Sequence, residues 1–176
     1  MEWKTKALNG DAVAAQNVGV LLLRAEQGVP KDEVEAVKFF RMAAEAGLSE
    51  SMFHVGWSYA SGLGTPQDWT QAVRWWKAAA EAGHASAARN LGLLYFSGIA
   101  PCPETGVCKV DYEAATRYYH LSAKLGNYKA CFALAEAYQY GRGVSRSAEH
   151  MEYWQRRGEE LMRRSGRSVA GAPGYS

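Results

Sequence analysis

Four histidines (His54, His84, His120 and His150) and three cysteines (Cys102, Cys108 and Cys131) are the side chains here best suited to bind a metal or move a proton near neutral pH. No His-Glu-x-x-His run and no Cys-x-x-Cys pair occurs, so the spacings of a zinc peptidase and of a zinc ribbon are both missing. Cys102, Cys108 and His120 could converge on zinc, but two ligands on a loop and one on a helix make a weak signal. Gly56-Trp57-Ser58-Tyr59-Ala60 approaches the Gly-x-Ser-x-Gly nucleophile elbow. It fails at the last position, and no strand precedes the serine to lift it. Gly62-Leu63-Gly64 and Gly141-Arg142-Gly143 are followed by neither the lysine nor the third glycine that phosphate binding needs. The expectation is no catalytic residue, no metal and no cofactor.

Most of these residues belong to a larger pattern. Gly19, Gly56 and Gly92 are spaced by 37 and 36 residues. Asp32, Asp68 and Asp111 are each followed at +4 by Ala36, Ala72 and Ala115, and at +7 and +8 by Phe39-Phe40, Trp75-Trp76 and Tyr118-Tyr119. At +15 come Gly47, Gly83 and Gly126, and nine residues later Gly56, Gly92 and Ala135. Such a period marks an array of one supersecondary unit. In the second copy, Ser51, Val55, Ser58 and Tyr59 share a helical side; residues 61–66 break it with paired glycines; Asp68 then caps a second helix carrying Ala72, Trp75, Trp76, Ala79 and Ala80. The array is predicted over 1–164: a partial unit at 1–10, then units over about 11–47, 48–83, 84–126 and 127–162. A flexible tail is expected at 165–176, where periodicity ends. The first helix lacks its partner, so it is expected to fray, to pair with another chain or to continue a longer array.

The residues Ala87, Leu91, Gly92, Tyr95 and Gly98 of the third unit, with Asp68, Ala72, Trp75, Ala79, Ala80 and Gly83 of the second, resemble the Sel1-like repeat, a relative of the tetratricopeptide repeat. The resemblance covers about residues 1–162, with departures at Leu22, Ala135 and Ser147. It implies an all-α fold, a right-handed α/α superhelical solenoid used for protein–protein contact.

Hydrophobic content of 48% against 22% charged residues argues a folded chain. The longest apolar run, residues 18–23, is far too short to span a membrane. No secretory leader is legible around Trp3, leaving the cytoplasm as the default compartment, with an organelle lumen or mitochondrion open if the start is processed. A net charge of +2 gives no global field for nucleic acid. Residues 141–176 carry seven arginines against four glutamates, hence +3 there and −1 elsewhere. That basic end reads either as an anchor for an acidic surface or as arginines that favour helix ends and solubility. Cys102 and Cys108 lie in a seven-residue insertion and would close a small disulfide loop or stay free thiols. Cys131, on a helix among apolar residues, reads as core.

The first helix of each unit should line the concave face. Positions that vary between units are expected to face that groove: Gln16, Val20 and Leu23; Phe53, Trp57 and Ala60; Arg89, Leu93 and Phe96; Phe132, Glu136 and Gln139. Phe53, Trp57, Leu93, Phe96 and Phe132 would make an apolar strip, with Arg89 and Glu136 as polar selectors. Superhelical twist would instead tuck these side chains between units. The expected function is a non-enzymatic scaffold or adaptor, or an accessory subunit of a larger assembly. The rival is a hydrolase or small-ligand module using the groove as a pocket, which would need convergent titratable groups.

Overall fold

The computed structural model describes residues 2–25, 28–99 and 109–166. Among these, nine α-helices and no strand occur. They are α1 (Glu2–Leu8), α2 (Ala12–Arg24), α3 (Glu33–Glu45), α4 (Ser49–Ser61), α5 (Trp69–Glu81), α6 (Ala85–Ser97), α7 (Tyr112–Lys124), α8 (Tyr128–Tyr140) and α9 (Ala148–Arg164). Each packs chiefly on its neighbours in the chain, as in a solenoid. The insertion holding Cys102 and Cys108, and with it the disulfide and zinc readings, lies outside the described residues, as does nearly all of the expected tail.

The second helices α3, α5, α7 and α9 start where the sequence places caps. The side chains of Asp32, Asp68, Asp111 and Ser147 accept the backbone N–H three residues on, at 2.8–3.2 Å. Caps of the first helices vary more: Asp11, His84 and Asn127 accept from their helices, while Leu48 has no side-chain cap. The first helix of the first unit ends on Ala25 in the left-handed region (φ 53°), where α4, α6 and α8 end on glycine.

Within a unit the two helices meet through a glycine and an aromatic ring. Phe40 lies over Gly19, Trp76 over Gly56 and Tyr119 over Gly92; a methyl group added at Gly56 would stand 2.5 Å from the Trp76 ring. The indole N–H of Trp76 also donates to the Phe53 carbonyl at 3.2 Å. At the C-terminal end the arrangement is reversed: Gly158 of α9 receives Phe132 of α8. Between units, Gly64 and Gly143 turn with φ of 72° and 74° directly against the backbone carbonyls of Glu33 and Tyr112, at the start of the preceding second helix. A side chain there would be strained and would overlap that carbonyl. Alanines fill the remaining helix contacts: Ala36, Ala72 and Ala115 are each at most 1% exposed. Cys131 is buried, and burial pushes its thiol up to about 11, which leaves it unreactive at neutral pH.

Candidate functional site

Aligning the units on Gly19, Gly56, Gly92 and Ala135 places Val20, Trp57, Leu93 and Glu136 at one register, one residue on each first helix. None of the four is buried: Leu93 is 40% exposed, and Val20, Trp57 and Glu136 are partly exposed. This register therefore reaches solvent along α2, α4, α6 and α8. The registers beside it are more enclosed. Ala60 is buried. Phe96 is half-buried, meeting Tyr112 edge-on at 5.3 Å with the Arg142 guanidinium 5.4 Å from its ring. Arg142 also donates to Glu136 at 2.9 Å, tying that carboxylate to the cluster.

The register of Phe53 behaves differently from unit to unit. Phe53 is half-buried and stacks on His84 with ring centres 4.5 Å apart. Phe132 is half-buried between Tyr128 and Gly158. Arg89, at the same register on α6, borders a hollow of about 340 Å³ with Asn127, Tyr128 and Lys129. Arg89 has no ion-pair partner among the described residues.

Around Phe53 a polar cluster joins three units. Nδ1 of His84 accepts the N–H of Ala87, so the ring proton resides on Nε2, which faces Glu50 at 3.0 Å. The other oxygen of Glu50 lies 3.5 Å from Nε2 of His54, whose ring stacks on Phe40 at 4.5 Å. Burial lowers the His54 pKa; Glu50 opposes this, while His84 and Arg24 add to it. Sequence spacing carries no signal for this cluster, because His84 reaches Glu50 across 34 residues.

No described group of three or more His, Cys, Asp or Glu side chains is placed to hold a metal. His120 lies beside Tyr138 and Trp154. Ser58 is buried mid-helix in α4, beside the Gly56 that receives Trp76. Several C-terminal arginines are paired: Arg156 with Glu152, and Arg157 and Arg164 with Glu160. No described helix is long and apolar enough to cross a membrane.

Paired antiparallel helices, glycine–aromatic contacts and a period of 36–43 residues define an all-α repeat solenoid. The Sel1 repeat model matches residues 12–48, 49–84, 85–127 and 129–150. The chain belongs to the Sel1 repeat family, whose members serve generally as protein-interaction scaffolds. It is similar to the crystal structure of a protective antigen present in uropathogenic Escherichia coli strains, displaying an SLR fold (33% identity, TM-score 0.81). It is also similar to a Sel1 repeat protein from Oxalobacter formigenes (30% identity, TM-score 0.80). Each likeness covers 90% of this chain, but only 32% and 62% of those two chains. A Pseudomonas aeruginosa structure at 17% identity and TM-score 0.51, covering 90% of this chain and 72% of its own, shares the fold alone. No curated protein sequence matches.

Proposed function

We propose that this protein is a non-enzymatic adaptor that holds a partner protein along its first helices. The observation that carries this reading is the register Val20–Trp57–Leu93–Glu136, which stays open to solvent in all four units. Trp57 and Leu93 supply adjacent apolar contacts, and Phe53, Phe96 and Phe132 back them from half-buried positions. Arg89 beside the strip, and Glu136 at its C-terminal end, where it is paired with Arg142, are the polar groups that would select the partner. A scaffold needs an apolar strip with a polar rim, and this face has both.

The test is affinity capture with cross-linking mass spectrometry on the wild type and on Trp57→Ala and Leu93→Ala. Cross-links should fall on α4 and α6. Each substitution should cost about 2 kcal/mol of binding; Leu93→Ala should change fold stability by about 1 kcal/mol or less, and Trp57→Ala, whose ring also packs against the core, by more. Cross-links confined to the second helices would refute the reading. So would a turnover activity abolished by Ser58→Ala or His54→Ala.

A further inference from the structure

On the side of the second helices, three registers recur at each junction between units. Counting from the caps, one wall is Lys4, Arg41, Lys77 or His120 on the preceding second helix. The opposite wall is the residue three after the next cap: Glu35, Gln71, Ala114 or His150. Between them stands a first-helix residue: Leu22, Tyr59, Tyr95 or Tyr138.

Two of these junctions are filled from within. In the first, Lys4 Nζ donates to Glu35 Oε1 at 2.6 Å and lies 5.9 Å from the Phe39 ring. In the last, His150 stacks on Tyr138 at 4.8 Å while Trp154 meets His120 edge-on at 5.2 Å. In the second, Arg41 turns to Glu45 on its own helix, 3.9 Å away. The third is open. Ala114, itself only 5% exposed, offers a methyl group where its counterparts carry longer side chains, and beside it a surface hollow of about 480 Å³ is lined by Lys77, Tyr95, Arg117, Tyr118 and Leu121. The two tyrosine rings stack within 7° of parallel, 5.5 Å apart. Lys77 and Arg117 have no hydrogen-bond or ion-pair partner among the described residues. Asp111 also borders the hollow, its Oδ1 accepting the Ala114 N–H at 2.8 Å, and Glu81 acts on Tyr118 beside Lys77 and Arg117, so the chain's own carboxylates partly offset the two cations.

We propose that this hollow receives the carboxylate of an aspartate or glutamate from an acidic segment of a partner protein, with Lys77 and Arg117 as its cations. The Lys4–Glu35 pair shows which group the same geometry holds when the chain supplies it. Two cationic residues lining an open hollow beside aromatic rings offer a carboxylate charge-assisted hydrogen bonds. The site lies mainly on second helices, so it goes beyond the first-helix surface and adds a second point of attachment.

The experiment is NMR titration of the full chain with a blocked tri-glutamate peptide, a blocked tri-glutamine peptide and inorganic phosphate. The glutamate peptide should shift the Lys77 and Tyr118 signals, and the glutamine peptide should not. Lys77→Met should weaken the response at least about tenfold. Ala114→Glu, which supplies Glu35's carboxylate in place, should abolish it. Trp57→Ala should leave it unchanged, so failure here is separable from failure of the first-helix surface. The proposal is overturned if tri-glutamine shifts the same signals, or if phosphate matches tri-glutamate at equal concentration. It is equally overturned if folded Ala114→Glu still binds. Should Ala114→Glu not fold, an unchanged response in Lys77→Met overturns it.

Discussion

Trp3 and Phe40 stand 37 residues apart at the same register of consecutive units, yet Phe40 is 1% exposed and Trp3 47%. What faces them differs. Phe40 lies over Gly19 of the first helix beside it, as Trp76 lies over Gly56 and Tyr119 over Gly92. No described helix brings a glycine to Trp3. Neighbouring positions follow the same contrast: Lys6 occupies the register of Ala43, Ala79 and Ser122, all buried, but is itself exposed. It pairs with Glu2 at 2.7 Å, and its ammonium stands 5.6 Å from the Trp3 ring. At this register the ring is therefore core where the adjoining helix supplies its glycine, and stability resides in contacts between neighbouring helices.

The strongest way to break that comparison is to truncate both rings. Phe40→Ala should cost about 3–5 kcal/mol, the range for a fully buried aromatic. Trp3→Ala should cost less than about 1 kcal/mol, as for a surface side chain. Urea denaturation of the two variants measures both, and equal losses would show that Trp3 is as structural as its counterpart.

A second pair sharpens the point at the turns. Gly64 and Gly28 share a register and nearly the same φ, 72° and 74°. Gly64 is pressed against the Glu33 carbonyl and Val37, whereas no described residue stands within 4 Å of Gly28's side-chain direction. Gly64→Ala combines left-handed strain with overpacking against backbone and should cost about 3 kcal/mol. Gly28→Ala carries the strain alone, about 1 kcal/mol. If the two midpoints fall equally, φ accounts for both glycines and the contact between units contributes little.

Much of this fold is legible in the chain itself. Period, cap and glycine are local properties, so Asp32, Asp68 and Asp111 read as helix starts and begin helices. Even Ser147, a departure from the pattern, caps α9. What a side chain touches across units is not local. Phe53 reads as a groove residue because its register varies, yet it stacks on His84, the cap of the next unit's first helix. The open hollow beside Ala114 was written in the series Glu35, Gln71, Ala114, His150. Its meaning depends on those residues facing Lys4, Arg41, Lys77 and His120 of the preceding unit, which no helical period specifies. Trp57 and Leu93 share a register in the sequence, but only the packed helices show that it remains open.

The smallest effect expected is on pH dependence, and it tests whether burial dominates charge inside the array. Burial lowers the His54 pKa despite Glu50, and lowers that of His120 with help from Lys124 and His150. Both rings thus resist protonation in the folded chain more than in the unfolded one, where a histidine titrates near pH ~6.5. Below that pH the unfolded chain binds more protons, so the contribution is complete above pH ~6.5 and is lost as pH falls toward the folded values. The melting temperature should decline on acidification through this window. His54→Asn installs the residue that the first and third units carry at this register, Asn17 and Asn90. It should flatten the decline and leave stability at pH ~8 within about 1 kcal/mol of wild type. A decline of the same slope in His54→Asn would place the titration elsewhere. A melting temperature that rises with acid would mean that Glu50 outweighs burial and that His54 is charged in the fold.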